Sequence, residues 1–153
     1  MKKTLLCALL AATFAAPAIA GDSTNLTVSA SVTGTCKFNT GPFTMTFAPL
    51  DPSVATNQNA STTLTYKCTK GQAATSFSFD TDAISPASVN ITNVPSGDTI
   101  PVTLTWAVGA AVGLGFGAGA DLSLTVNGAI LGTDYANVSA GAYTKIVAVV
   151  VAP

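Results

Sequence analysis

The segment Asn25–Thr33 alternates strictly between apolar and polar side chains. Its apolar positions are Leu26, Val28, Ala30 and Val32. Asparagine, serine and threonine occupy the positions between them. A period of two residues, carried by β-branched and hydroxyl side chains, is typical of a β-strand with one buried face. Such a strand needs an apolar surface to cover, in its own domain or in a neighbouring molecule, and this need constrains the fold strongly.

The first 20 residues have the pattern of an export leader. Two lysines precede an apolar run over Thr4–Ala15, and Ala18-Ile-Ala20 follows with small residues at its first and third positions. The run is too short to span a membrane stably. We therefore predict cleavage before Gly21 and a mature chain of 133 residues, the length of one domain.

Two cysteines, Cys36 and Cys68, follow the predicted leader. An even number of cysteines in an exported chain predicts a disulfide, and two free buried thiols are the alternative. A bridge between them would close a loop of roughly 30 residues and stabilise the fold by about 3–4 kcal/mol.

Charge is scarce beyond the leader. Four lysines and seven aspartates give a net charge of −3, and arginine, glutamate and histidine are absent. This composition offers no basic patch for nucleic acid. Without histidine, the Ser–His–Asp, Cys–His and zinc constellations cannot form, and Asp80 with Asp82 supplies too few carboxylates to predict a cation site. We predict no enzymatic activity, no metal and no cofactor.

Short alternating segments separated by turn residues recur along the rest of the chain, and helical periodicity is absent. This pattern predicts an all-β sandwich or barrel. The predicted strands are Thr35–Phe38, Phe43–Phe47, Ser61–Cys68, Thr75–Asp80, Ser88–Thr92, Thr99–Val108, Asp121–Val126, Ala129–Leu131 and Gly141–Val151.

Two glycine-containing stretches interrupt this series. Asn127-Gly128 predicts a tight hairpin turn, because both residues tolerate positive φ. Gly109–Ala120 is glycine-rich and apolar, but it lacks the lysine and the strand–helix context of a phosphate-binding loop. It predicts a mobile loop or an irregular edge strand.

The final predicted strand is apolar on both faces. Tyr143, Val147, Val149 and Val151 share one face, while Ile146, Ala148 and Val150 share the other. Such a strand is normally central in a sheet and covered on both sides. Here no later segment is expected to pair with it.

Four stretches of the chain resemble the spore coat protein U domain, which includes the pilin subunits of archaic chaperone–usher pili. These stretches are Cys36-Lys-Phe38, Thr46-Phe-Ala-Pro-Leu-Asp51-Pro52, Leu64-Thr-Tyr-Lys-Cys68-Thr-Lys-Gly71 and Ala140-Gly-Ala-Tyr143. The resemblance covers most of residues 25–151. The chain departs from the family pattern at Lys145, where an acidic residue is frequent, and in having no arginine and an unmatched Gly109–Ala120 segment.

The resemblance implies an immunoglobulin-like β-sandwich over residues 35–153 that lacks its last strand. Residues 21–34 would be a donor-strand extension, with Leu26, Val28, Ala30 and Val32 inserting into the next subunit. Tyr143, Val147, Val149 and Val151 would line the acceptor groove and bind a periplasmic chaperone first. The implied partners are further copies of the chain, other pilus subunits and an outer-membrane usher, and the implied location is a surface fimbria supporting adhesion and biofilm formation.

The alternation of Asn25–Thr33 also fits the first strand of a complete sandwich. In that reading the protein is a self-contained secreted coat protein or adhesin without strand exchange. Deletion of Gly21–Thr33 separates the two readings, because polymerisation of the truncated protein would exclude donation by this segment.

Overall fold

The computed structural model describes residues 21–80, 82, 84–109 and 111–153. The predicted leader over residues 1–20, with Cys7, lies outside them. The chain divides after Ser31 into two compact units, and the second of these, Val32–Pro153, contains the sheets.

The described residues are predominantly β, as the sequence predicted. The elements are β1 Cys36–Phe38, β2 Gln58–Cys68, β3 Ser76–Phe79, β4 Ala87–Thr92, β5 Thr99–Trp106, β6 Leu122–Ile130, a helical turn α1 Gly132–Tyr135, and β7 Val149–Ala152. Within the described part of the chain, helical structure amounts to this four-residue turn, and no helix has the length and apolarity needed to cross a membrane.

Five strands form one antiparallel sheet in the order β1-β2-β6-β5-β4. β2 and β6 are its longest pair, with Leu64 opposite Leu124. β3 and β7 form a separate antiparallel pair, with Phe79 opposite Val149. The long ladders follow from the alternating sequences, because a two-residue period places every second side chain on the same face.

One face of the five-stranded sheet carries the core. Buried residues of β2, β5 and β6 alternate with half-buried or exposed ones, and Leu64, Val102 and Leu124 are each less than 4% exposed. β3 covers this face with Phe77 and Phe79. Phe79 packs against Trp106 with ring centroids 4.4 Å apart.

The opposite face of the sheet, here called the outer face, is rich in hydroxyl and amide side chains. Cross-strand neighbours there include Thr63 with Thr125, and Asn127 with both Ser61 and Thr105. All five are exposed. Cross-strand pairs of this kind support the sheet through hydrogen-bonding and packing of short polar side chains.

The predicted disulfide is confirmed. Cys36 on β1 and Cys68 at the end of β2 are directly opposite in the ladder and are bonded through their sulfurs. The bridge fixes the short strand β1 to the edge of the sheet.

The hairpin predicted at Asn127-Gly128 is wrong. β6 runs without interruption from Leu122 to Ile130, and Gly128 lies opposite both Ala60 and Leu104. A Cβ on Gly128 would lie 2.5 Å from Met45 Sδ and 2.9 Å from Phe47 Cζ. Glycine is therefore present for close packing over a central strand, not for a turn.

Three predicted strands are absent or shortened. Neither Asn25–Thr33 nor Phe43–Phe47 forms a strand, and the strand predicted over Gly141–Val151 is reduced to β7, preceded by a single bridge between Thr144 and Thr92. An alternating sequence adopts ladder structure only when a partner strand supplies the hydrogen bonds. Two of these segments, Phe43–Phe47 and the part of Gly141–Val151 that precedes β7, border the site described next.

Candidate functional site

A large apolar groove with a volume of about 1200 Å³ lies on the core side of the five-stranded sheet. Its floor consists of core side chains of the sheet, including Leu64, Val102 and Val126. Two irregular segments form its walls. Residues 41–50 form the first wall and residues 138–149 form the second.

The first wall crosses the sheet over β6. Met45 and Phe47 are half-buried and pack above Gly128, while Phe43 is 36% exposed and packs edge-on against Phe38. These three wall residues alternate along the chain, so they face the sheet together. Among the described residues, no backbone group between 41 and 50 is hydrogen-bonded to another backbone group.

The second wall is attached on one side only. Thr144 exchanges two backbone hydrogen bonds of 3.1 Å with Thr92 on β4, and the Asp80 N–H donates to the Ala148 carbonyl at 2.7 Å. In an extended chain the backbone groups of successive residues point to opposite sides. Those of Lys145 and Val147 therefore point away from β4 and Asp80, and they have no backbone partner within the described chain.

The gap between the walls has the character of an empty strand position. Each wall has the alternating sequence of a β-strand and leaves backbone donors and acceptors unpaired. The floor between the walls is apolar. An additional strand in this gap would complete a ladder of main-chain hydrogen bonds and place alternate side chains on the floor.

The structure brings three of the four predicted acceptor residues to this groove. Tyr143, Val147 and Val149 line it and are half-buried. The Tyr143 hydroxyl donates to the Ser139 carbonyl at 2.7 Å, which steadies the beginning of the second wall. Val151 lies instead in the β3–β7 pair opposite Phe77 and does not line the groove.

The predicted donor residues are not part of any strand. Leu26, Val28 and Val32 are each more than 80% exposed, and Ala30 is also exposed. Every described residue from 21 to 33 is exposed. The alternating apolar face that the sequence predicts to be buried is therefore uncovered in the single chain.

An ion pair between Lys145 and Asp80 attaches the second wall to the end of β3. Lys145 Nζ lies 2.7 Å from one Asp80 carboxylate oxygen, and the Ala148 N–H donates to the other at 2.9 Å. The Lys145 hydrogen bond, followed by the Ala148 N–H, lowers the pKa of Asp80 below its ordinary value. Both carboxylate oxygens of Asp80 contact the second wall, so this side chain acts as a structural support for the wall.

Some groove residues have a strand-like sequence pattern that does not by itself place them at the groove. Phe43, Met45 and Phe47 alternate like a strand, but their role as a groove wall depends on a missing neighbour that no local pattern reveals. Val138 and Ser139 line the groove from a turn-like stretch without periodicity. A useful signal was Gly128, because glycine inside a strand pattern marks a close approach of other chain segments.

Comparisons of the chain with known protein families, characterised proteins and solved structures returned no match.

Proposed function

We propose that this chain is a structural subunit of a bacterial surface pilus that polymerises by donor-strand exchange. In this proposal the fold is an immunoglobulin-like sandwich one strand short, and residues 21–34 of one subunit supply that strand to the next. The observation that carries the proposal is the groove. It is apolar, it is bordered by two segments with unpaired backbone groups, and it occurs in a chain that also exposes an alternating apolar segment.

The energetics favour insertion. Burying Leu26, Val28, Ala30 and Val32 is worth about 5–8 kcal/mol by transfer of apolar area out of water. Each main-chain hydrogen bond formed with the walls adds roughly 1 kcal/mol net. The polar face of the inserted strand, formed by serine and threonine, would remain toward solvent and keep the assembled fibre soluble.

The proposal also accounts for the partners. An open apolar groove with unpaired strand edges is prone to non-specific pairing during export. A periplasmic chaperone that lends a strand would protect the groove, and an outer-membrane usher would exchange that strand for the tail of the next subunit. Adhesion and biofilm formation follow from the length of the fibre, and the proposal assigns no catalytic role to any residue.

A matched pair of tail variants tests the proposal. We expect the full chain to give a ladder of multimers on a gel run without boiling. Val28→Asp should abolish that ladder, because a carboxylate cannot enter the apolar groove. Ser29→Asp, which adds the same charge to the opposite face, should leave the ladder intact. The protein is expressed as the full chain in a bacterial host and recovered from the periplasm and cell surface.

A second matched pair tests the groove. Val147→Asp places a charge on the wall and should also abolish the ladder. Val150→Asp places it on the opposite face of the same segment, on a side chain that is 55% exposed and does not line the groove, and should not. Ladders that persist in both Val28→Asp and Val147→Asp would refute donation of this segment into this groove. A clean monomer from the unmodified chain would favour the self-contained sandwich.

A further inference from the structure

Three apolar side chains alternate on the surface of the glycine-rich segment. Val112, Leu114 and Phe116 are 51%, 63% and 50% exposed. Together they are called the upper patch. The segment that carries them is held firmly, since the Gly113 N–H donates to the Gln72 carbonyl at 2.7 Å and the Gly115 N–H donates to the Cys68 carbonyl at 3.0 Å.

Gly113 explains why the patch faces outward. A Cβ at this position would lie 2.5 Å from the Thr69 carbonyl oxygen and 2.6 Å from the Cys68 carbonyl oxygen. Only glycine lets the backbone lie this close to the end of β2. The segment is thus docked through its backbone, and its larger side chains remain available for another contact.

The N-terminal tail, residues 21–34, joins the folded body at Thr35. This junction, called the root, lies at the same end of the sheet. Thr35 is anchored by the Thr69 N–H, which donates to its carbonyl at 2.9 Å, and a Cβ on Gly34 would lie 2.8 Å from the Gln72 side-chain oxygen. The root is on one side of the β2 end and the upper patch is on the other. Two strand spacings separate them, or about 10 Å.

The link between body and donor segment is short. Only Thr33 and Gly34 separate Val32, the last predicted donor residue, from the anchored Thr35. Three residue steps of extended chain span at most about 11 Å. A subunit that binds Val32 in its groove is therefore drawn close to the end of the sheet that carries the upper patch.

The opposite end of the sheet presents a second set of exposed apolar side chains, called the lower patch. Val54, Val94 and Leu131 are 63%, 85% and 54% exposed. Leu131 directly follows β6, and Val94 lies in the turn between β4 and β5. The groove reaches this end at Tyr135 and Val138.

We propose that the upper patch of each subunit packs against the lower patch of the next subunit, as a second contact beside the inserted strand. The occupant is a second copy of this chain, and the inference rests on the proposed function. The tail leaves one molecule at its upper end, and we place its entry into the next molecule at the lower end of the groove, which Tyr135 and Val138 line. Stacking copies in one direction therefore brings the two patches together in a repeating head-to-tail contact.

Cysteine cross-linking in the polymer tests this contact. The variant Leu114→Cys with Leu131→Cys is treated with a short bis-maleimide and boiled before electrophoresis, so that only covalent links survive. The two positions lie at opposite ends of an 11-residue strand, about 33 Å apart, so a short reagent cannot join them within one molecule. Cys36 and Cys68 are bonded to each other and do not react, and Cys7 lies in the leader that is predicted to be cleaved.

We expect a covalent ladder after boiling for this pair. The matched control combines Leu114→Cys with Ser88→Cys, which is exposed on the outer face, and it should give no covalent ladder. Adding Phe116→Asp to the test pair should remove the covalent ladder while leaving the ladder of unboiled samples.

The outcomes separate the two proposals. A ladder without boiling but no covalent ladder in the test pair would overturn the patch contact and leave strand exchange standing. Equal cross-linking in the control would also overturn it, because the contact would then lack the proposed orientation. Absence of any ladder in the unmodified protein would refute both proposals.

Discussion

Gly128 is the residue at which the sheet and the first groove wall meet most closely. We predict that Gly128→Ala destabilises the protein by about 1–3 kcal/mol, because the new methyl group collides with Met45 and Phe47 and overpacks the site. Denaturant unfolding of the monomer measures the change.

Gly117→Ala is the control for this substitution. A Cβ at Gly117 meets nothing within 4 Å, so the same chemical change should leave the free energy of unfolding almost unaltered. Equal effects of the two substitutions would mean that the wall does not pack over β6 as described.

The Asp80–Lys145 pair gives the groove wall a defined dependence on pH. The folded carboxyl has a lowered pKa, so its contribution is fully present above the unfolded value near 4 and is lost as the pH falls through the folded pKa. We predict that Asp80→Asn lowers the midpoint of denaturation at pH 7 and that this deficit shrinks at acid pH, below the unfolded pKa near 4.

Asp82→Asn provides the comparison, because Asp82 is exposed and its side chain makes no hydrogen bond within the described residues. Denaturation curves of Asp80→Asn and Asp82→Asn, each recorded at pH 7 and at acid pH, test this prediction. A deficit of Asp80→Asn that is independent of pH would rule out the ion pair as its cause.

Among the elements, β1 depends most on a covalent bond. It has three residues and is joined to β2 by the Cys36–Cys68 bridge, with a sequence separation of 32. We predict that replacing both cysteines with alanine costs about 3–4 kcal/mol of stability, because the unfolded chain regains the entropy of an open loop.

Reduction offers an internal check on the disulfide. Dithiothreitol should destabilise the native chain by a similar amount and leave the double-alanine variant unchanged. If the native chain were insensitive to complete reduction, the bridge would not stabilise the fold.

Most elements whose partners lie within the chain were predictable from sequence. β2, β4 and β5 fall where alternation placed them, and the all-β class followed directly. The hairpin predicted at Asn127-Gly128 is wrong for a tertiary reason. Local sequence favours a turn there, but Met45 and Phe47 pack so closely over β6 that a strand position needs glycine.

The candidate site was predictable only in part. Tyr143, Val147 and Val149 were expected at a groove and line one. The wall formed by Phe43, Met45 and Phe47 was predicted as an ordinary strand, because local alternation cannot report that a neighbouring strand is missing. The family resemblance also implies that Val151 lines the groove, but Val151 pairs with Phe77 of β3 and does not line it.

At the scale of the whole molecule, each chain has one groove and one tail. We predict that Val28→Asp and Val147→Asp variants, each monomeric alone, form dimers and nothing larger when mixed. The first retains a groove and the second retains a tail, so one exchange is possible and growth then stops. Size-exclusion chromatography with light scattering measures the product.

Two results would contradict this expectation. Oligomers longer than dimers would imply a second route of assembly, and failure to form dimers would mean that groove and tail do not recognise each other.

The outer face described above has a further consequence for the assembled protein. Thr63, Thr125 and Asn127 point away from the core side of the sheet, and the groove lies on that other side. We therefore expect changes at these positions to leave the core packing and the proposed joining of subunits intact. In the proposed fibre, the surface shown to antibodies or host surfaces could then vary while the internal connections stay the same.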